Sequence, residues 1–133
     1  MKIDVGVSPL AISKQFSTII EKAITASGVD TKNGVIINFR DPDYSQEIGG
    51  YHPVEVMVNN AGCIQYITDF SYTGSPPFAE LAKELDFDFA AGIFGHMGRD
   101  YPIKEGMDLF RVFQSNFCSY HNSDVFTVKV TNL

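Results

Sequence analysis

The sequence predicts an α+β fold: a mostly antiparallel sheet of about five strands, with two long helices and one short helix packed on one face. Three observations predict it. Apolar residues recur at helical spacing in two stretches, residues 12–24 and 107–117. Several other runs alternate apolar with polar side chains, the period of a half-buried strand. The first three of those runs follow one another with no helix between them, as an antiparallel meander requires. The order is helix, three strands, short helix, strand, helix, strand, in a single domain over residues 1–133.

Ser8 and Pro9 mark the start of the first helix, Ser8 as cap and Pro9 at a first-turn position where its missing N–H costs nothing. Ile12, Phe16, Ile19, Ile20, Ala23 and Ile24 form the apolar face, and Gly28 suits a left-handed C-terminal cap. In the first strand Val35, Ile37 and Phe39 alternate with Ile36, Asn38 and Arg40; in the second Val54, Val56 and Val58 alternate with Glu55, Met57 and Asn59. After the turn Asn60-Ala61-Gly62, a third strand runs from Cys63 to Tyr72 with Ile64, Tyr66, Phe70 and Tyr72 on one face. Gly74-Ser75-Pro76-Pro77 punctuates the chain and opens a short helix, with Phe78, Leu81, Ala82 and Leu85 on one side and Glu80 near the positive end of its dipole. Leu85, Phe87, Phe89 and Ala91 then alternate with Asp86, Asp88 and Ala90, a half-buried strand. Residues 92–102 read as irregular and glycine-rich. A second long helix spans Lys104 to Tyr120 on the stripe Met107, Phe110, Phe113 and Phe117, widened by Leu109 and Tyr120. Val125 to Val130 closes the sheet.

With 133 residues, 44% hydrophobic and 20% charged, the chain can bury one core without metal or disulfide staples. Ten basic against 16 acidic residues leave a net charge of −6 and no basic cluster. That excludes a nucleic-acid backbone and an anionic membrane surface as partners. Cys63 and Cys118 lie in apolar runs without Cys-x-x-Cys spacing and read as free thiols. Residues 1–12 form neither a signal peptide nor a membrane span, so a cytoplasmic address follows by elimination. No cofactor is expected.

The longest polar connection, residues 38–56, draws the eye first. Asp41, Asp43, Ser45, Glu47 and His52 imitate a calcium loop, which makes Asp41, Asp43 and Glu47 candidate metal ligands. Gln46 and His52 stand where such loops need glycine and a bidentate glutamate. The same residues are ordinary turn chemistry, with Arg40 bracing the acids. His52 precedes Pro53, which holds it extended at a strand entrance. A histidine among carboxylates has the composition of a general acid–base site, so His52 is the candidate catalytic residue. No nucleophile accompanies it and no Gly-x-Ser-x-Gly elbow exists; a structural histidine is the commoner outcome. Arg40, Tyr51, His52, Asp69, His96 and Arg99 are the candidate ligand-binding residues. His96 and Arg99 belong to a run with glycines at 92, 95 and 98 whose amides can cradle a phosphate, although it matches neither the dinucleotide fingerprint nor the P-loop. A bulged strand end is the simpler account. Asp86 and Asp88 share one strand face and read as a solvated outer surface. Tyr66, Phe70 and Tyr72 are either core or an exposed aromatic patch on the uncovered sheet face.

Asn38-Phe-Arg-Asp, Gly49-Gly-Tyr-His-Pro-Val-Glu, Tyr66-Ile-Thr-Asp-Phe, Glu84-Leu-Asp-Phe-Asp-Phe and Gln114-Ser-Asn-Phe resemble an uncharacterised bacterial family, domain of unknown function 2787. The resemblance runs from about Val35 to Val130. It implies a single-domain bacterial protein and brings no activity or catalytic residues with it. The reading preferred from the residues is a small non-enzymatic binding or protein-interaction module, with a homodimer or other protein partner. The alternative is a small hydrolase or metal-assisted enzyme built on the 38–56 loop.

Overall fold

Alternation of apolar and polar residues builds the centre of the sheet. β1 (Val35–Arg40) and β2 (Val54–Val58) bury every second side chain, setting Val35, Ile37 and Phe39 opposite Val58, Val56 and Val54. The computed structural model describes residues 1–75 and 77–133. Among these, five further strands extend the pair: β3 (Ile64–Thr73), β4 (Glu80–Asp88), β5 (Ile93–His96), β6 (Arg99–Pro102) and β7 (Thr127–Asn132). All pairings are antiparallel, in the spatial order β6-β5-β4-β3-β2-β1-β7. The chain meanders from β1 to β6, and the last strand returns to lie beside the first.

Two helices, α1 (Lys14–Ser27) and α2 (Met107–Asn122), cover one face of this α+β sheet. Phe117 of α2 touches Phe16 of α1 at 5.2 Å between ring centroids and Phe39 of β1 at 4.9 Å. Phe110 meets Phe87 of β4 at 4.9 Å. Cross-strand pairing places Phe39, Val54, Asp69, Leu85 and Phe87 on that same covered face. Phe16, Phe39, Phe87, Phe110 and Phe117 are fully buried, each contributing about 1.5–3 kcal/mol. No described helix is long and apolar enough to cross a membrane. Both cysteines are free, Cys118 buried and Cys63 half-buried.

The structure corrects four expectations. The first helix starts at Ser13 rather than Ser8: the Ser13 hydroxyl accepts the Phe16 N–H at 3.1 Å. The approach to it is held by α2 instead, since Gln114 accepts from the Ser13 N–H at 3.1 Å and donates to the Ala11 carbonyl at 3.0 Å. The short helix does not form. Phe78, Leu81, Ala82 and Leu85 have helical spacing, but Glu80–Asp88 is one strand paired with Tyr66 to Thr73 of β3, and tertiary pairing overrides local propensity. Pro76, part of the expected helix start, lies outside the described residues. Residues 92–102 are a hairpin, turned by Met97 (φ 53°) and Gly98 (φ 77°) between His96 and Arg99. Two positive φ values suit a two-residue connection because its twist matches that of the strands. The hairpin's two strands raise the sheet from the expected five to seven, while the lost helix only lengthens the fourth. Finally, Ile64 pairs with Val58 while Tyr66 pairs with Met57, so Gln65 bulges and Ile64 enters the core, away from the face of Tyr66.

Candidate functional site

His52 owes its position to its neighbour. Pro53 is buried at the entrance of β2, and its carbonyl accepts the Phe70 N–H at 3.0 Å, which fixes the chain against β3. On β3, Asp69 stands opposite Val54 on the helix-covered face, where an apolar side chain is the rule. It is 8% exposed. On β4 the register slips: Asp69 pairs with Leu85 and Phe70 with Lys83, leaving Glu84 as the extra residue of a β-bulge. The bulge delivers the Glu84 carboxylate to the same spot.

Three donors therefore meet. His52 Nδ1 lies 3.2 Å from Asp69 Oδ2 and 3.0 Å from Glu84 Oε2, and the three donor atoms all fall within 4.8 Å of one another. The other Asp69 oxygen accepts the Leu85 N–H at 3.1 Å, which locks the carboxylate in place. Burial pushes the Asp69 carboxyl above the usual carboxylate range, against the opposing hydrogen bond and charge of His52. Among the described residues no Lys or Arg forms an ion pair with Asp69.

The 41–51 loop braces this cluster without entering it. Asp41 accepts the Asp43 N–H at 2.9 Å and the Tyr51 N–H at 3.0 Å, closing the loop upon itself. Gly50 is required there: its φ is 129°, and a Cβ would sit 2.8 Å from the Asp41 carboxylate. Tyr44 stacks on Tyr72 at 5.2 Å and approaches the His52 ring at 5.6 Å, while Gln46 donates to the Gly74 carbonyl at 3.2 Å.

Beyond the cluster a pocket of about 300 Å³ opens between the sheet and α2, lined by Gly50, Tyr51, His52, Val54, Asp69, Leu85, Leu109, Val112, Phe113, Asn116, Phe117, Tyr120 and Phe126. Tyr51 and Tyr120 pack at 4.6 Å along its lining. A larger groove of about 790 Å³ runs between α1 and β7, but the titratable groups lining it are only Lys14, Lys22 and His121.

Of the residues singled out from sequence, His52, Tyr51 and Asp69 share the pocket. Asp41, Asp43 and Glu47 are not in the metal-capable group, which among the described residues comprises His52, Asp69 and Glu84. Arg40 is exposed at the end of β1 and Arg99 on β6. His96 pairs across from Leu85, with its ring 5.8 Å from Phe94. Tyr66 donates to Glu55 at 2.5 Å, and burial, together with that carboxylate, pushes its phenol up. Phe70 is half-buried and Tyr72 38% exposed. Glu84 and Val112 were not singled out from the residues. For the pocket wall a signal existed: Leu109 and Tyr120 widen the α2 stripe beyond what one sheet face needs.

A family model described as a protein of unknown function (DUF2787) matches residues 14–131. A hypothetical protein from the VSP-II pathogenicity island of Vibrio cholerae is 34% identical, with a TM-score of 0.81 over 93% of this chain and 96% of that one. A conserved hypothetical protein from the VPI-2 island of the same organism is 35% identical, with a TM-score of 0.79 over 93% and 97% of the two chains. That second protein is described as sharing structural homology with the human P32 protein. A search of the curated proteins finds no match. With its model covering nearly all of the folded region, the chain belongs to the DUF2787 family of proteins of unknown function.

Proposed function

We propose that this protein is a non-enzymatic binding module that holds a small, mostly apolar ligand between β2, β3 and α2, with the ligand's polar end at His52, Asp69 and Glu84. The observation that carries the reading is the lining of the 300 Å³ pocket, mostly apolar and aromatic, with Asn116 and with His52 and Asp69 of the three-residue cluster as its polar groups. Ligand sites are typically built this way, apolar area supplying affinity and a few converging polar groups fixing orientation. Leu85, Leu109, Val112, Phe113 and Phe126 form the walls, and Tyr51 and Tyr120 present rings with a polar tip. Among the described residues the lining includes no Ser, Thr, Cys or Lys, and its apolar walls suit holding a ligand.

Val112 tests this reading because it lines the pocket yet is 56% exposed, so a larger side chain there fills the space without disturbing the core. An amphiphilic fluorescent probe such as anilinonaphthalene sulfonate should bind the native protein at micromolar concentration and bind Val112→Trp at least about tenfold more weakly. Equal binding to both proteins, or none to the native one, overturns it.

A further inference from the structure

We infer that His52, Asp69 and Glu84 bind a divalent transition-metal ion, which forms the polar end of the pocket. This deepens the binding reading above by naming what the cluster holds. A tetrahedral zinc ion has its ligands at about 2.0–2.2 Å, so neighbouring donor atoms stand roughly 3.3–3.6 Å apart. The His52–Asp69 and His52–Glu84 separations of 3.2 and 3.0 Å already approach that spacing. Asp69 is held by the Leu85 N–H, the kind of outer support that orients a ligating carboxylate. Glu84, with its side chain 40% exposed, is free to close on the ion.

Charge supplies the second argument. Asp69 places a carboxylate in a nearly solvent-free position on the core face, and among the described residues no lysine or arginine pairs with it. Buried carboxylates are normally paired or bound to metal. The imidazole meets two carboxylates through a single nitrogen, which can carry only one proton between them. A dication replacing that proton satisfies all three groups together. One nitrogen and two carboxylates favour zinc, manganese or ferrous iron over calcium and magnesium, which prefer larger, all-oxygen shells. Three protein ligands leave a tetrahedral ion one open position, available to the head of a ligand in the pocket.

Calorimetry of the chelator-treated protein with zinc chloride, repeated with cobalt chloride followed by visible absorption, tests the inference. The expected result is one ion per chain, at least thirtyfold weaker binding in His52→Ala and in Glu84→Gln, and a cobalt spectrum lacking thiolate charge transfer. Magnesium and calcium should not compete. Cys63→Ser should bind as the native protein does, which separates this site from adventitious thiol binding. No binding, or binding that survives both ligand substitutions, overturns the inference. Val112→Trp distinguishes the two readings: it should bind zinc normally while losing the probe. If the probe binds natively and zinc does not, the metal inference falls and the pocket reading stands; zinc binding without probe binding has the opposite meaning.

Discussion

Asp69 occupies a position where the neighbouring residues of the sheet are Val54, Ile67 and Phe87, and its burial raises its pKa. A raised folded-state pKa for an acid means that the native state holds its proton to higher pH than the unfolded chain does. This contribution leaves stability highest below the ordinary aspartate range and lowers it as pH rises through the folded pKa. Asp69→Asn removes the charge and keeps an oxygen to accept the Leu85 N–H. With both proteins chelator-treated, the variant at neutral pH should therefore be at least as stable as the native protein, the difference closing as pH falls into the range where Asp69 is protonated. Urea denaturation across pH checks this, and a marked loss of stability at neutral pH would instead show that the ionised pair with His52 is net stabilising. The neighbourhood of His52 was legible because a histidine before proline at a strand entrance is a local pattern. Of its carboxylate partners Asp69 was among the residues singled out and Glu84 was not, because Glu84 reaches the site only through the register shift between β3 and β4.

At the scale of elements, one side chain does much to join the helices. Gln114 sits in the apolar stripe of α2, 7% exposed, and bonds both the Ser13 N–H and the Ala11 carbonyl at the entrance to α1. Gln114→Leu keeps the volume and leaves both backbone groups without that partner. It should cost about 1–3 kcal/mol for each group left unsatisfied, read as a fall in the denaturation midpoint at an unchanged slope. A loss below half a kilocalorie per mole would mean that water replaces the amide. The elements themselves were mostly legible: β1, β2 and both long helices show their periods plainly. Of β4 only the part from Leu85 onward was, because Glu80 to Leu85 is a sequence of good helix formers whose strand state is imposed by β3. The β5–β6 hairpin hid for a different reason, since two four-residue strands are too short to display a period.

Over the whole molecule, charge is poorly compensated. The net charge is −6, and among the described residues the only ion pairs without histidine are Lys83–Asp86 and Arg111–Asp108, at 3.7 and 3.6 Å with their cations largely exposed. Such surface pairs add little, while like charges repel across the fold. Added sodium chloride, by screening that repulsion, should raise the melting temperature at neutral pH in a series from low to physiological ionic strength. A fall would show that favourable pairs dominate. The covered face, rich in Phe and Val, was readable from alternation and stripe together. The opposite face, where Thr68 donates to Asp86 at 2.6 Å and Tyr66 to Glu55, was ambiguous because its aromatics also suit a core.

The bulge on β4 separates the candidate site from the architecture that carries it. Phe70 already pairs with Lys83 and Asp69 with Leu85, so a chain lacking Glu84 would keep every one of these cross-strand partners and merely straighten the ladder between them. Loss of a single codon would thus erase one ligand without exchanging the two faces of the sheet. Within a family of shared fold, such a residue lets ion binding be gained or lost at little structural consequence, as an insertion rather than a redesign.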